Sequence, residues 1–204
     1  NPQRQVVFFF FFFETTAPAH AVALLQSRTR GLKNFSMLTA HVCVPPAMEA
    51  ILGSPSNRVQ GFLAAGHVCT VTGFVPYEKL AAKYRTSIVV TGFEPVDILN
   101  GVLACVKLLE QNRPVVENQY ARAVQRTGNA HAQELMNTVF ETGDRNWRGI
   151  GAIPASGLKL RSEWRDYDAV ERFQLRSYCA ASDNVCIAGQ ILLGNKKPPQ
   201  CPVF

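Results

Sequence analysis

Four short apolar runs, residues 6–13, 35–39, 59–64 and 87–90, punctuate the first half of the chain. Each gives way to a polar or glycine-bearing turn and then to a proline, at Pro18, Pro45, Pro76 and Pro95. Runs of this length, rich in β-branched and aromatic residues, suit strands, and proline is tolerated in the first turn of a helix. Strands alternating with helices predict an α/β fold with mostly parallel sheets. The first run, VVFFFFFF, is unbroken, the pattern of a strand covered on both faces. The spacing predicts helices to about Thr29, from Pro45 to Leu52, near 77–84, from Pro95 to about Gln111, and over 130–141. In the Pro95 helix, Ile98, Leu99, Val102, Leu103, Val106 and Leu109 share one apolar face, expected to point inward. Past Trp147 glycines and a cysteine-bearing tail predict a small irregular lobe.

The chain carries 21 basic and 15 acidic residues among 204, and the basic ones are scattered. Arg161, Arg165, Arg172 and Arg176 are interrupted by acids, as on a solvated helical face, and no basic stripe carries stacking aromatics. Nucleic acid is therefore not an expected partner. The run 6–13 is eight residues, whereas crossing a bilayer takes roughly 20, so no membrane span is expected. With no starting Met, the chain reads as an internal portion of a longer protein. Six cysteines in a chain of this size do not demand a disulfide framework, and a reducing, cytoplasmic setting fits their dispersion.

Polar residues gather where strands end and helices begin, the place where ligands bind in open parallel sheets. Glu14, Thr15 and Thr16 follow the first run, His41 and Cys43 the second, His67 and Cys69 the third, and Glu94 the fourth. Phe13-Glu14 and Phe93-Glu94 echo each other, an acid after each strand. Both acids would cap a helix or face a shared cleft, since a buried carboxylate is costly unless paired. No glycine-rich phosphate loop is present. His20 and His131 read as ordinary helix-face residues. Cys186 and Cys201, with Cys179 as a third, are the candidate metal ligands, one thiolate short of the four that sulfur-ligated centres commonly take.

Several long stretches, in order, carry a resemblance. FETTAPA (13–19), NFSMLTAHVCVPPAM (34–48), GFLAAGHVCTVTG (61–73), VVTGFEPVDIL (89–99), VENQYARAV (116–124), WRGIGAIPASGL (147–158) and CIAGQILLGNKKPPQCPVF (186–204) are similar to the HypD family of nickel–iron hydrogenase accessory proteins. The resemblance implies two Rossmann-like α/β domains and a third domain bearing a [4Fe-4S] cluster. It also implies a cytoplasmic scaffold for the iron centre that carries cyanide and carbon monoxide, working with the HypC chaperone and the HypE cyanide donor. On it, residues 1–30 end a first α/β domain, 31–145 form a second, and 146–204 form a return segment and a partial cluster lobe. Glu14, Thr15, Thr16, His41, His67 and Glu94 match its cleft motifs, and Cys186 and Cys201 its cluster region.

The departures from that pattern are specific. Phe12 stands at a glycine position, Cys69 at a serine, and Ala188 where the tail motif has a second cysteine. The family's front CGGxH-type stretch and CxxC pair are not in this sequence. These differences imply that the chain alone neither builds the iron centre nor holds a stable cluster. Two other readings remain open: an α/β enzyme for a small anionic substrate, with His41 or His67 paired to Glu94, and a non-catalytic zinc-binding or structural module.

Overall fold

The computed structural model describes residues 3–175 and 185–203. Strand β1 (Val6–Phe10) leads through a 3-10 turn at Glu14–Thr16 into helix α1 (Ala17–Thr29), and β2 (Phe35–Thr39) pairs in parallel with β1. Helix α2 (Val44–Leu52) follows. A second parallel sheet has the order β3 (Gly61–Ala65), β4 (Ser87–Thr91), β5 (Val116–Asn118). Between its strands lie α3 (Gly66–Thr72), α4 (Val75–Tyr84) and α5 (Pro95–Glu110). Helix α6 (Ala130–Val139) then runs into an antiparallel hairpin, β6 (Phe140–Trp147) and β7 (Gly151–Leu160). The tail holds α7 (Ala169–Arg172) and α8 (Ala188–Leu192), with a 3-10 turn at Pro198–Gln200. The architecture is the expected mixed α/β one, with parallel sheets, and among the described residues no helix is long and apolar enough to cross a membrane.

Two apolar faces point the other way from expectation. β1 is a strand, but only Phe10 is buried, while Phe9 and Phe11 are 61% and 64% exposed. A two-stranded sheet offers one partner edge and little cover, so the phenylalanines beyond Phe10 find no second layer among the described residues. α5 turns Asp97, Gly101, Ala104 and Leu108 inward instead of its apolar stripe. Ile98, Leu99, Val102, Leu103, Val106 and Leu109 are all exposed, Leu99 at 69%. Small residues on the inner face let the helix lie close to β4, where the Thr91 hydroxyl donates to the Asp97 carbonyl at 2.8 Å. Close approach decided the orientation, not the number of large apolar side chains.

The pieces of the chain return on one another. Residues on both sides of position 30 share the β1–β2 sheet, and those on both sides of 146 share the hairpin. β7 closes over the end of β2 through a bridge between Val42 and Gly157, and the Cys43 N–H donates to the Ser156 carbonyl at 2.8 Å. The segment around Asp168 comes back to bridge Met37. One buried cluster therefore joins Phe10, Leu24 and Met37 to Phe140, Leu158 and Trp164. A second, with Ile88, Val90 and Tyr77, lies under α4.

Candidate functional site

Glu14 opens the turn after β1 and is only 4% exposed. Its Oε1 accepts from the Val44 N–H at 2.9 Å, so the carboxylate caps α2, thirty residues away, not the helix that follows it. An acidic group at a helix N-terminus is favourable, since the first amides have no partners within the helix. Oε2 is buried and has no hydrogen-bond partner. Burial pushes this carboxyl up to about 7, against the opposing pull of backbone N–H groups.

His41 follows β2 and is fully buried. Its Nε2 lies 3.1 Å from His20 Nδ1 and 3.5 Å from the Thr16 hydroxyl, while its Nδ1 has no partner. The Phe10 ring stacks on His20 at 3.8 Å and tilts against His41 at 4.4 Å. Burial first, then the His20 and Arg145 charges, hold His41 down to about 3, so it stays neutral. Arg145 reaches across from the hairpin, its Nη2 donating to the carbonyls of Thr39 and Leu158 at 2.9 and 2.8 Å.

Two buried thiols flank Glu14. Burial and then the Glu14 charge push Cys43 up to about 12. Cys69 is raised to about 12 by burial, opposed by the Tyr77 hydroxyl beside it. Thr15 is exposed and Thr16 half-buried. Glu14, Thr16, His41, Cys43 and Cys69 thus belong to one interior polar network.

His67 and Glu94 belong to another. His67 sits in the first turn of α3, its ring edge-on to Phe93 at 4.6 Å and tilted to Tyr120 at 5.9 Å. Glu94 is the residue before α5, and its side chain is 55% exposed. Arg122 links this loop to the ENQY stretch: it clamps Asp97 with two bonds, at 2.7 and 2.5 Å, and stands 3.5 Å from Glu94 Oε2. Its guanidinium lies 4.5 Å over the Tyr120 ring. That clamp holds the Asp97 carboxyl down to about 2. Equivalent positions in two βα units therefore carry one buried acid and one exposed acid.

α3 is the wall between the two networks. His67 and Cys69, two residues apart, would share one side of a strand, but on a helix the same spacing turns them about 200° apart. Cys69 faces Glu14 and Tyr77, and His67 faces Phe93 and Tyr120. Gly66 makes that fit possible, because a Cβ there would collide with the Thr91 carbonyl and the Tyr120 ring. A surface hollow of about 670 Å³, lined by Lys33, Arg165, Tyr167 and Arg172, contains none of these residues.

In the tail, Cys186 and Cys201 are both free thiols and half-buried. The backbone N–H groups of Ile187 and Val203, aided by Arg148, hold Cys201 below the usual thiol range. Cys179 lies outside the described residues. Among the described residues no three His, Cys, Asp or Glu side chains are placed to hold a metal ion. Among the described residues the tail supplies two thiols, fewer than the four thiolates a [4Fe-4S] site commonly takes. Sequence reasoning took His20 for an ordinary helix-face residue, whereas it packs on Phe10 and His41, and passed over Tyr77, Arg122 and Arg145. Only Arg122 had a signal, its place within the VENQYARAV stretch.

Comparison with known proteins accounts for this arrangement of motifs. Residues 1–204 match the HypD family, described as "Hydrogenase formation hypA family". Over the whole chain it is 42% identical to hydrogenase maturation factor HypD2 of Bradyrhizobium diazoefficiens, covering 56% of that protein. It is 39% identical to hydrogenase maturation factor HypD of Cupriavidus necator, and 39% to that of Escherichia coli, covering 56% and 55% of them. The chain thus spans about half the length of the curated relatives it matches. With its motifs in order and its whole length matched, the chain belongs to the HypD family of hydrogenase maturation factors.

Proposed function

We propose that this chain is part of a cytoplasmic scaffold on which the Fe(CN)2CO centre of nickel–iron hydrogenase is assembled, with HypC as docking partner and HypE as cyanide donor. One observation carries the reading beyond family membership. The ETT turn and the AHVCV stretch, distant in sequence, are tied together through the Glu14–Val44 bond and the Thr16–His41–His20 contacts. Such a network fixes the turn that presents the exposed Thr15, which suits a surface pre-shaped for a partner.

The enzyme reading draws less support. General acid–base work needs a histidine within hydrogen-bond reach of its partner and of a substrate proton. His41 is buried and neutral, and the ring contacts of His67 are aromatic. Glu94 faces Arg122. The intact family protein's [4Fe-4S] cluster would draw on thiolates beyond the Cys186–Cys201 pair.

Affinity-tagged chain, co-expressed with HypC and HypE, tests the scaffold role. HypC is expected to remain on the tagged chain through washing. Failure of HypC to stay with both the chain and the full reading frame that carries it would overturn the proposal.

A further inference from the structure

We infer that the exposed face of α5 is a self-association surface, on which a second copy of this chain docks with its own α5 antiparallel to the first. The association is independent of the iron chemistry proposed above. Val96, Leu99, Leu103 and Val106 recur at intervals of three, four and three residues, the spacing by which two helices interdigitate. All four are exposed, from Val106 at 45% to Leu99 at 69%. The opposite face is already packed: Ala104 and Leu108 lie on Val89, and the Asp97 carbonyl accepts from Thr91.

The stripe is symmetrical about residue 101. Turned end for end, it sets Val96 against Val106 and Leu99 against Leu103 of the second copy, so each apolar side chain meets another and the same patch serves both copies. No exposed charge interrupts it between Asp97, which is buried, and Lys107. Charge also selects the direction. Glu110 continues the stripe one turn further on, and antiparallel pairing carries it to the N-terminal end of the other α5, where unpaired amides favour an anion. Lys107 is carried to the end that bears Glu94. Parallel pairing would instead set Glu110 against Glu110 and align the two helix dipoles.

The area sets the strength. With Val102 and Leu109 on its flank, the patch is on the order of 500 Å², large for a monomer's surface but short of the roughly 800 Å² that each partner brings to a standard interface. Such an area predicts a weak, reversible dimer, with a Kd at about the micromolar level or weaker. Dilute chain is therefore monomeric, with Leu99 open to solvent.

Sedimentation equilibrium of the reduced chain, from low micromolar to near-millimolar concentration, tests this. The mass should rise from that of one chain towards that of two, and no further. Leu99→Lys and Leu103→Glu should each weaken the association by at least about tenfold, because each buries an unpaired charge in the seam. Both positions are exposed in the monomer, so circular dichroism of each variant should match the parent. Mixing the two variants should restore association, since antiparallel pairing sets the lysine against the glutamate and leucine against leucine. Phe9→Glu, on the exposed face of β1, should leave the dimer intact. A chain that stays monomeric throughout overturns the inference, as does a dimer that survives Leu99→Lys or is lost in Phe9→Glu. Failure of the mixture to associate overturns the antiparallel pairing. A cysteine in Leu99→Cys that is shielded from a thiol reagent in monomeric full reading frame, or only when HypC is added, would show another occupant on the face and overturn it as well.

Discussion

His20 Nδ1 and His41 Nε2 face each other at 3.1 Å between β2 and α1, with the Phe10 ring stacked on the first and tilted against the second. One ring donates and the other accepts, so each histidine fixes the tautomer of the other. His20→Ala leaves Nε2 of a fully buried ring with only the longer Thr16 contact. An orphaned buried polar group costs about 1–3 kcal/mol. Chemical denaturation should show that loss for His20→Ala and almost none for His131→Ala, whose side chain is exposed. Equal effects at the two positions would mean that the pair carries no stability.

Glu14 and His41 pull stability in opposite directions with pH. Glu14 is raised from 4.5 to about 7, so its contribution is fully present below 4.5 and is lost as pH rises through 7. His41 is lowered from 6.5 to about 3: above 6.5 neither state is protonated, and below it the unfolded chain takes up protons that the folded one refuses. The two slopes cancel in part between 4.5 and 6.5. Glu14→Gln removes the first. Relative to the parent, that variant should gain about 1.4 kcal/mol of stability for each pH unit from 4.5 towards 7, then stay level. Urea midpoints across pH 4–8 read the difference, and a flat difference would place the Glu14 proton elsewhere.

Period and proline placement made most of the strands and helices legible. β2 coincides with its apolar run, and α1, α2, α4, α5 and α6 begin or end within a few residues of expectation. α3 was hidden because GHVCTVT carries β-branched residues and a glycine, which weaken the helical signal, and packing of Gly66 on Thr91 overrides it. On that helix His67 and Cys69 point in different directions, which their spacing of two does not reveal unless the local structure is known. The faces of β1 and α5 were illegible for another reason. A hydrophobic pattern tells which residues are apolar, not whether a second layer exists to receive them. His20 gave no signal, since only the fold brings residue 20 to residue 41.

The turned-out face of α5 is open to a simple test. Leu99 is 69% exposed, and Leu108, on the inner face, only 2%. Leu108→Ala should cost about 2–5 kcal/mol, the usual loss for an aliphatic side chain in a core. Leu99→Ala should stay within about 0.5 kcal/mol, as for ordinary surface changes. Thermal unfolding of both variants decides between this orientation and the inward stripe. A Leu99 loss as large as that of Leu108 would mean the helix is rolled the other way or covered by a partner.

Arg122 joins the GFEPVD and ENQYARAV stretches through its two hydrogen bonds to Asp97 and its approach to Glu94. Asp97 is held at about 2, below its ordinary 3.8, first by the Arg122 hydrogen bonds and then by one shared with Glu94. Its folded-state value is depressed, so its contribution is present above 3.8 and is lost as pH falls towards 2. Arg122→Gln removes the cation and the stack on Tyr120 together. The Asp97 carboxyl should then titrate near its ordinary range, visible in carbon NMR of labelled aspartate, and the acid-unfolding midpoint should move to higher pH. Arg122→Lys keeps the charge but not the fork, and should restore only part of the shift. An Asp97 titration unchanged in Arg122→Gln would show that another group holds the carboxylate, and would remove Arg122 from its place as the clamp beside Glu94.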